Sequence, residues 1–163
     1  MTKPAVTIAI TLVLAASARA GTPDVGVLVP GVSLGGVRLG WTTAQIEAVW
    51  GRAEGHCTDC RRETLYFNRY AFRPQGAGAE LVGGRIVAVF TLWAPPGWRT
   101  AQGLRIGEPL VRVEATYPMA LVTPCKSYDA YVLPGGHAKS VVYVADGAVW
   151  GFGLLGARHG VCF

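Results

Sequence analysis

The chain has 163 residues, 51% of them hydrophobic and 15% charged, with 22 glycines, 10 prolines and a formal net charge of +5. Setting aside Lys3 and Arg19 in the first 20 residues leaves thirteen basic against ten acidic side chains, an ordinary balance for a soluble domain. The arginines are scattered, only Arg61 and Arg62 being adjacent, so the sequence shows no basic cluster of the kind a nucleic-acid binder needs.

The chain opens with MTKPAVTIAITLVLAASARA: a lysine, an apolar run from Ala5 to Ala16, and small residues ending in Ala18-Arg19-Ala20. This is the n-region, h-region and A-x-A pattern of a cleaved secretory signal. The apolar run is about a dozen residues, short of the roughly twenty a helical bilayer span takes. No cysteine follows the expected cut at Gly21, so a lipid anchor is not expected either. The expectation is a secreted or extracytoplasmic chain of about 143 residues, room for one core or two small packed repeats. It would have no membrane span after cleavage.

Residues 21–35 read as an N-terminal segment. Beyond it, GVRLGWTTAQIEAVWG (36–51) aligns with GLRIGEPLVRVEATYP (103–118), pairing Gly36, Arg38, Gly40, Glu47 and Ala48 with Gly103, Arg105, Gly107, Glu114 and Ala115. Self-similarity of this length predicts two copies of one supersecondary unit, repeat 1 over 36–93 and repeat 2 over 103–163, joined by a linker, 94–102. In the first copy Thr42 and Gln45 form a capping box that opens a short helix to Trp50, which Gly51 stops. In the second, Glu108-Pro109 opens the helix and Pro118 closes it. Period-2 segments follow: Thr64 to Phe72, Glu80 to Val82 and Arg85 to Trp93, then Tyr128 to Leu133, Lys139 to Val144 and Ala148 to Leu155. Gly83-Gly84 and Asp146-Gly147 sit where two-residue hairpin loops want positive φ. The expected fold class is α+β: two tandem helix-plus-three-strand repeats forming one six-stranded antiparallel sheet with both helices on one face.

The motif R-[LI]-G-x-x-x-x-x-[IV]-E-A-x-[WY], followed twice by strands ending in a G-x-[VI] hairpin (Gly84-Arg85-Ile86 and Gly147-Ala148-Val149), resembles the tandem-repeat layout of the β-lactamase-inhibitory-protein and SmpA/OmlA superfamily. It also resembles small exported bacterial proteins of unknown role with this layout. The resemblance covers roughly residues 33–163 and implies architecture. The inhibitory proteins of that fold grip an enzyme with an aromatic sheet and an acidic loop residue. Here the hairpin loop FRPQGAGAE (72–80) has no aspartate at its tip, so β-lactamase inhibition is not carried to any residue.

The stretch His56-Cys57-Thr58-Asp59-Cys60 looks most like chemistry. An exported chain with four cysteines, Cys57, Cys60, Cys125 and Cys162, favours disulfides. Of three pairings, Cys57–Cys60 with Cys125–Cys162 is preferred, since the second ties the tail to its own repeat. The alternative is a thiol-dependent redox or zinc-binding protein centred on Cys57 and Cys60. Redox use is disfavoured because the pair follows a helix C-terminus, where the dipole does not stabilise a thiolate. Zinc would need, besides Cys57 and Cys60, two of Cys125, Cys162, His56 and His159, with only one C-x-x-C present. His56, His137 and His159 read as solvated loop residues. Ser33, Ser127 and Ser140 sit in no nucleophile motif, and no close carboxylate pair is present. No catalytic residue, cofactor or metal is therefore expected.

The aromatic residues are more informative. On the first long strand Tyr66, Tyr70 and Phe72 share one face and Leu65 and Phe67 the other, while Val87, Val89, Thr91 and Trp93 oppose Ile86, Ala88, Phe90 and Leu92. Trp150 and Phe152 repeat the theme. Both sheet faces are apolar, yet two short helices cover only one. Either segments 21–35 and 94–102, with Trp98, cover the second face, or it is an exposed binding patch. The sequence thus points to a non-enzymatic protein-binding or inhibitor-like module whose contacts are Tyr66, Tyr70, Trp93, Tyr131, Tyr143 and Trp150, with a protein partner in the envelope or outside the cell.

Overall fold

The structure is a computed structural model that describes residues 24–67, 76–93 and 96–162. The expected secretory signal (1–20), Tyr70, Phe72 and the rest of 72–75 in the loop 72–80 lie outside the described residues. The described chain is mostly β. In order it forms β1 (Val27–Val29), β2 (Ser33–Leu34), α1 (Thr43–Trp50), β3 (Gly55–Cys57), β4 (Glu63–Tyr66), β5 (Gly76–Val82), β6 (Arg85–Leu92) and β7 (Arg99–Thr100). There follow α2 (Leu110–Thr116), β8 (Leu121–Pro124), β9 (Asp129–Leu133), β10 (Lys139–Ala145) and β11 (Ala148–Leu155). Eight strands make one antiparallel sheet in the order β3-β4-β5-β6-β11-β10-β9-β8, and a separate sheet has the order β2-β1-β7. No helix among the described residues is long and apolar enough to cross a membrane.

This corrects the expected α+β arrangement of two helix-plus-three-strand repeats in a six-stranded sheet. Four strands of the large sheet follow each helix, because β3 and β8 join that sheet as its edges. Neither advertises itself in sequence: β3 is Gly-His-Cys, and β8 is a four-residue strand, largely exposed, that ends in proline. Edge strands have one partner and need no clean alternation of apolar and polar residues. β5 was also misread, as its first half lies in the glycine-containing loop of the sequence reading. Gly78 stands there because the Phe90 ring lies over it: a Cβ at Gly78 would come within 2.6 Å of that ring.

Helix α1 forms where the sequence places it. Thr42 accepts from the Gln45 N–H and Gln45 returns the bond to the Thr42 N–H, and the chain leaves the helix at Gly51 with φ 81°. In α2, Pro109 occupies the N-cap rather than the first turn. Neither helix exceeds eight residues, so both are held by packing. Ile46 and Trp50 of α1 and Val113 of α2 enter the main core with Leu65, Phe67 and Phe152 of the large sheet. Trp98 is fully buried there, edge-on to Trp50 at 5.4 Å, and Trp50 is edge-on to Phe67 at 5.4 Å. Leu28 and Leu34 of the small sheet join the same cluster. The N-terminal segment and the linker therefore cover the helix side of the sheet, not the opposite face.

Two bulges set which residues face which side. Glu80 pairs with Ala88 but Leu81 with Ile86, leaving Val87 extra; Tyr143 pairs with Gly151 but Val144 with Val149, leaving Trp150 extra. Each extra residue reverses the alternation beyond it. Ile86 and Val89 thus share the helix side, while Ala88, Phe90 and Leu92 face away, which corrects the strict period-2 split read from sequence. Likewise Phe152 belongs to the main core and Trp150 packs against the second cluster.

The chain's end lies on the second face. Tyr128, Trp150, Val161 and Cys125 pack on Phe90, Val141 and Tyr143, and Cys162 is disulfide-bonded to Cys125.

Candidate functional site

Of the six aromatic contacts expected from sequence, the five among the described residues do not form one face. Tyr131 pairs with Val142 and is 7% exposed in the main core. Tyr143 pairs with Ala130 and is fully buried in the second cluster. Directly opposed residues on antiparallel strands point to the same side, so these tyrosines point to opposite sides. Burial pushes the Tyr143 phenol well above its ordinary value, with Tyr128 and Glu80 adding to the effect. Tyr66 is half-buried on β4, beside Gly55 and Gly78. Among the described residues of the six, Trp93 and Trp150 come together at an accessible place.

That place is a cleft of about 370 Å³ beside the β10–β11 hairpin. Its walls are Trp93, Pro96, Ile106, Ala148 and Trp150, and Asp146 at the hairpin tip is the charged group among its described lining residues. Trp150 is the bulged residue of β11, and its indole leans on Tyr128 at 5.4 Å, which is in turn edge-on to Tyr143 at 5.6 Å. Trp93 follows β6, is 59% exposed and takes φ 67°. Its N–H donates to the Trp150 carbonyl, which ties the two tryptophans together. A bulky non-glycine residue at positive φ is strained, and such strain persists only where the surroundings hold it.

The other chemical candidates resolve differently. Cys57–Cys60 and Cys125–Cys162 are both disulfides, so the chain is disulfide-stabilised and neither CxxC thiol is available as a nucleophile or ligand. Among the described residues no group of histidines, cysteines and carboxylates is placed to hold a metal. His56 is exposed and bonded to Glu63 at 2.8 Å, and His137 is exposed beside Arg38 in a second depression of about 380 Å³.

His159 is not a solvated loop residue. It is buried, with Nε2 at 2.7 Å from Glu80 and Nδ1 at 2.9 Å from the Gly160 carbonyl. The Gly160 carbonyl and an ionised Glu80 carboxylate both only accept, so each ring nitrogen faces an acceptor. Burial alone would raise the Glu80 carboxyl, but the hydrogen bond and charge of His159, then Arg62 at 3.3 Å, outweigh it and hold the group below its ordinary range. Lys139 also donates to the His159 carbonyl at 2.9 Å. The cluster fastens the C-terminal segment to β5 and β10. Its only signal in sequence was Glu80 and His159 themselves, 79 positions apart.

No protein-family model and no curated protein matches the chain, so the resemblance to the β-lactamase-inhibitory-protein and SmpA/OmlA superfamily gains no support from them. Among solved structures, the chain is similar to an extracellular protein containing a SCP domain from Bacillus anthracis str. Ames, with TM-score 0.50 and 13% identity. The match covers 73% of this chain and 44% of that one, so this chain spans less than half of its neighbour's length. At this identity the likeness concerns the fold.

Proposed function

We propose that this chain is an exported, disulfide-stabilised, non-enzymatic binding module that holds a protein partner through the cleft between Trp93 and Trp150. The observation that carries the reading is Trp93, a large apolar side chain left 59% exposed yet anchored at positive φ by its bond to Trp150. Tryptophans in this situation supply much contact area at little entropic cost, which is why they dominate binding hot spots. Two disulfides suit an oxidising compartment, and the structural neighbour is described as extracellular.

The test is comparative capture from the producing cell's envelope and medium fractions. Wild type, Trp93→Ala and, as a control for apolar exposure elsewhere, Val82→Ala (57% exposed) are immobilised. A partner held by wild type and the control but lost by Trp93→Ala, with an unchanged circular dichroism spectrum, is the expected result. A partner held equally by all three places the contact elsewhere and refutes the reading.

A further inference from the structure

We propose that the Trp93/Trp150 cleft recognises an arginine side chain presented by its partner, a deepening that rests on the binding reading above. The argument comes from an internal comparison, because the two central hairpins, β5–β6 and β10–β11, are built alike. The Gly40 N–H donates to the Ile86 carbonyl and the Ile86 N–H to the Trp41 carbonyl; the Gly107 N–H donates to the Val149 carbonyl and the Val149 N–H to the Glu108 carbonyl. Both hairpins turn through two residues at positive φ, and both second strands carry a bulge. At each bulge the carbonyl accepts from the residue just beyond the neighbouring central strand: Val87 from Gly156, Trp150 from Trp93.

The same backbone positions carry different side chains at the two ends. Where the β5–β6 end has Gly83 in the turn, Val87 at the bulge and Gly156 as donor, the β10–β11 end has Asp146, Trp150 and Trp93. The β5–β6 end shows that the turn forms without a carboxylate and that neither bond needs an indole. These three side chains are additions to the frame, and all three line the cleft.

The first residue after each turn points to the ligand. At the β5–β6 end it is Arg85, whose Nη1 donates to the Gly40 carbonyl at 3.2 Å. At the β10–β11 end it is Ala148, so the equivalent carbonyl, that of Gly107, receives no guanidinium from there, and Gly107 and Ala148 both line the cleft. A guanidinium entering from a partner can donate to the Gly107 carbonyl as Arg85 does to Gly40. It would meet Asp146 at the rim and lay its planar face and aliphatic stem against the indoles. An anionic group would face Asp146 with no compensating cation among the described lining residues. A purely apolar group would bury that carboxylate's surroundings without pairing it.

The experiment titrates the purified, disulfide-bonded chain with capped tripeptides of glycine flanking arginine, norleucine or glutamate, followed by the indole N–H resonances and tryptophan fluorescence. Saturable shifts with the arginine peptide, about five- to tenfold weaker binding with norleucine and none with glutamate are expected. Asp146→Asn should remove most of the preference for arginine over norleucine. Ala148→Arg, which supplies the guanidinium in place, should abolish peptide binding while the melting temperature is kept. Equal binding of arginine and norleucine, or undiminished arginine binding by Ala148→Arg, overturns the arginine proposal and leaves the binding reading standing. The same follows if no tripeptide binds while a partner is still captured through Trp93. Failure of that Trp93-dependent capture removes the binding reading itself.

Discussion

Removing the Glu80 carboxylate should loosen the C-terminal segment from the sheet and do so only where that carboxylate is ionised. Glu80 holds His159 through a 2.7 Å contact between side chains 14% and 5% exposed, and Arg62 through a 3.3 Å contact in which the arginine is 32% exposed. A buried charge-assisted hydrogen bond contributes about 2 kcal/mol, and a half-exposed ion pair about 0.5 kcal/mol. Glu80→Ala is therefore expected to cost roughly 2–3 kcal/mol at pH 7. Because the carboxyl is held below its ordinary 4.5 in the fold, its stabilisation is fully present above the unfolded value and disappears as pH falls through the folded one. Urea unfolding with both disulfides intact should show the gap between wild type and variant at pH 7 and at pH 5, narrowing below about pH 4. A cycle with His159→Ala should return a coupling of at least about 1 kcal/mol at neutral pH. An equal gap at pH 3 and pH 7, or a coupling near zero, would mean that Glu80 acts through packing alone and would refute the reasoning.

Two further outcomes follow from the packing and the crosslinks. The Cys125–Cys162 bridge spans 37 residues and Cys57–Cys60 only 3. On loop-closure entropy, replacing the first pair by serine should cost about 4 kcal/mol and the second about 1.5 kcal/mol, read as midpoints of denaturant unfolding. Gly153→Ala places a Cβ within 2.7 Å of the Tyr143 hydroxyl in the second cluster, and the forced shift of that ring should lower stability by about 1–3 kcal/mol. A melting temperature unchanged by this substitution would show that the ring is free to move.

What could be read in the chain was local. Thr42 and Gln45 spell their capping box because both partners lie within one helical turn. Gly83-Gly84 and Asp146-Gly147 spell their turns because positive φ selects glycine and aspartate. The edges β3 and β8 escaped because a strand with one partner needs little pattern. Tyr131 and Tyr143 were grouped as one binding face although they lie back to back. Their sides depend on which residue of a neighbouring strand each one meets, and pattern within a single strand does not carry that.

The same division explains the candidate site. Trp93 and Trp150 are legible in sequence as aromatic residues of the two repeats, but nothing local marks them as neighbours of each other or of Ile106. Their meeting depends on the extra residue at position 150, which turns the indole out of the alternation, and on the bond from Trp93 to its carbonyl. Turns and caps are determined by the sequence itself, since interactions between near neighbours set them. The face each aromatic occupies, and hence the cleft, is decided by tertiary structure, because a bulge is a property of two paired strands and its effect is to reverse every side chain beyond it.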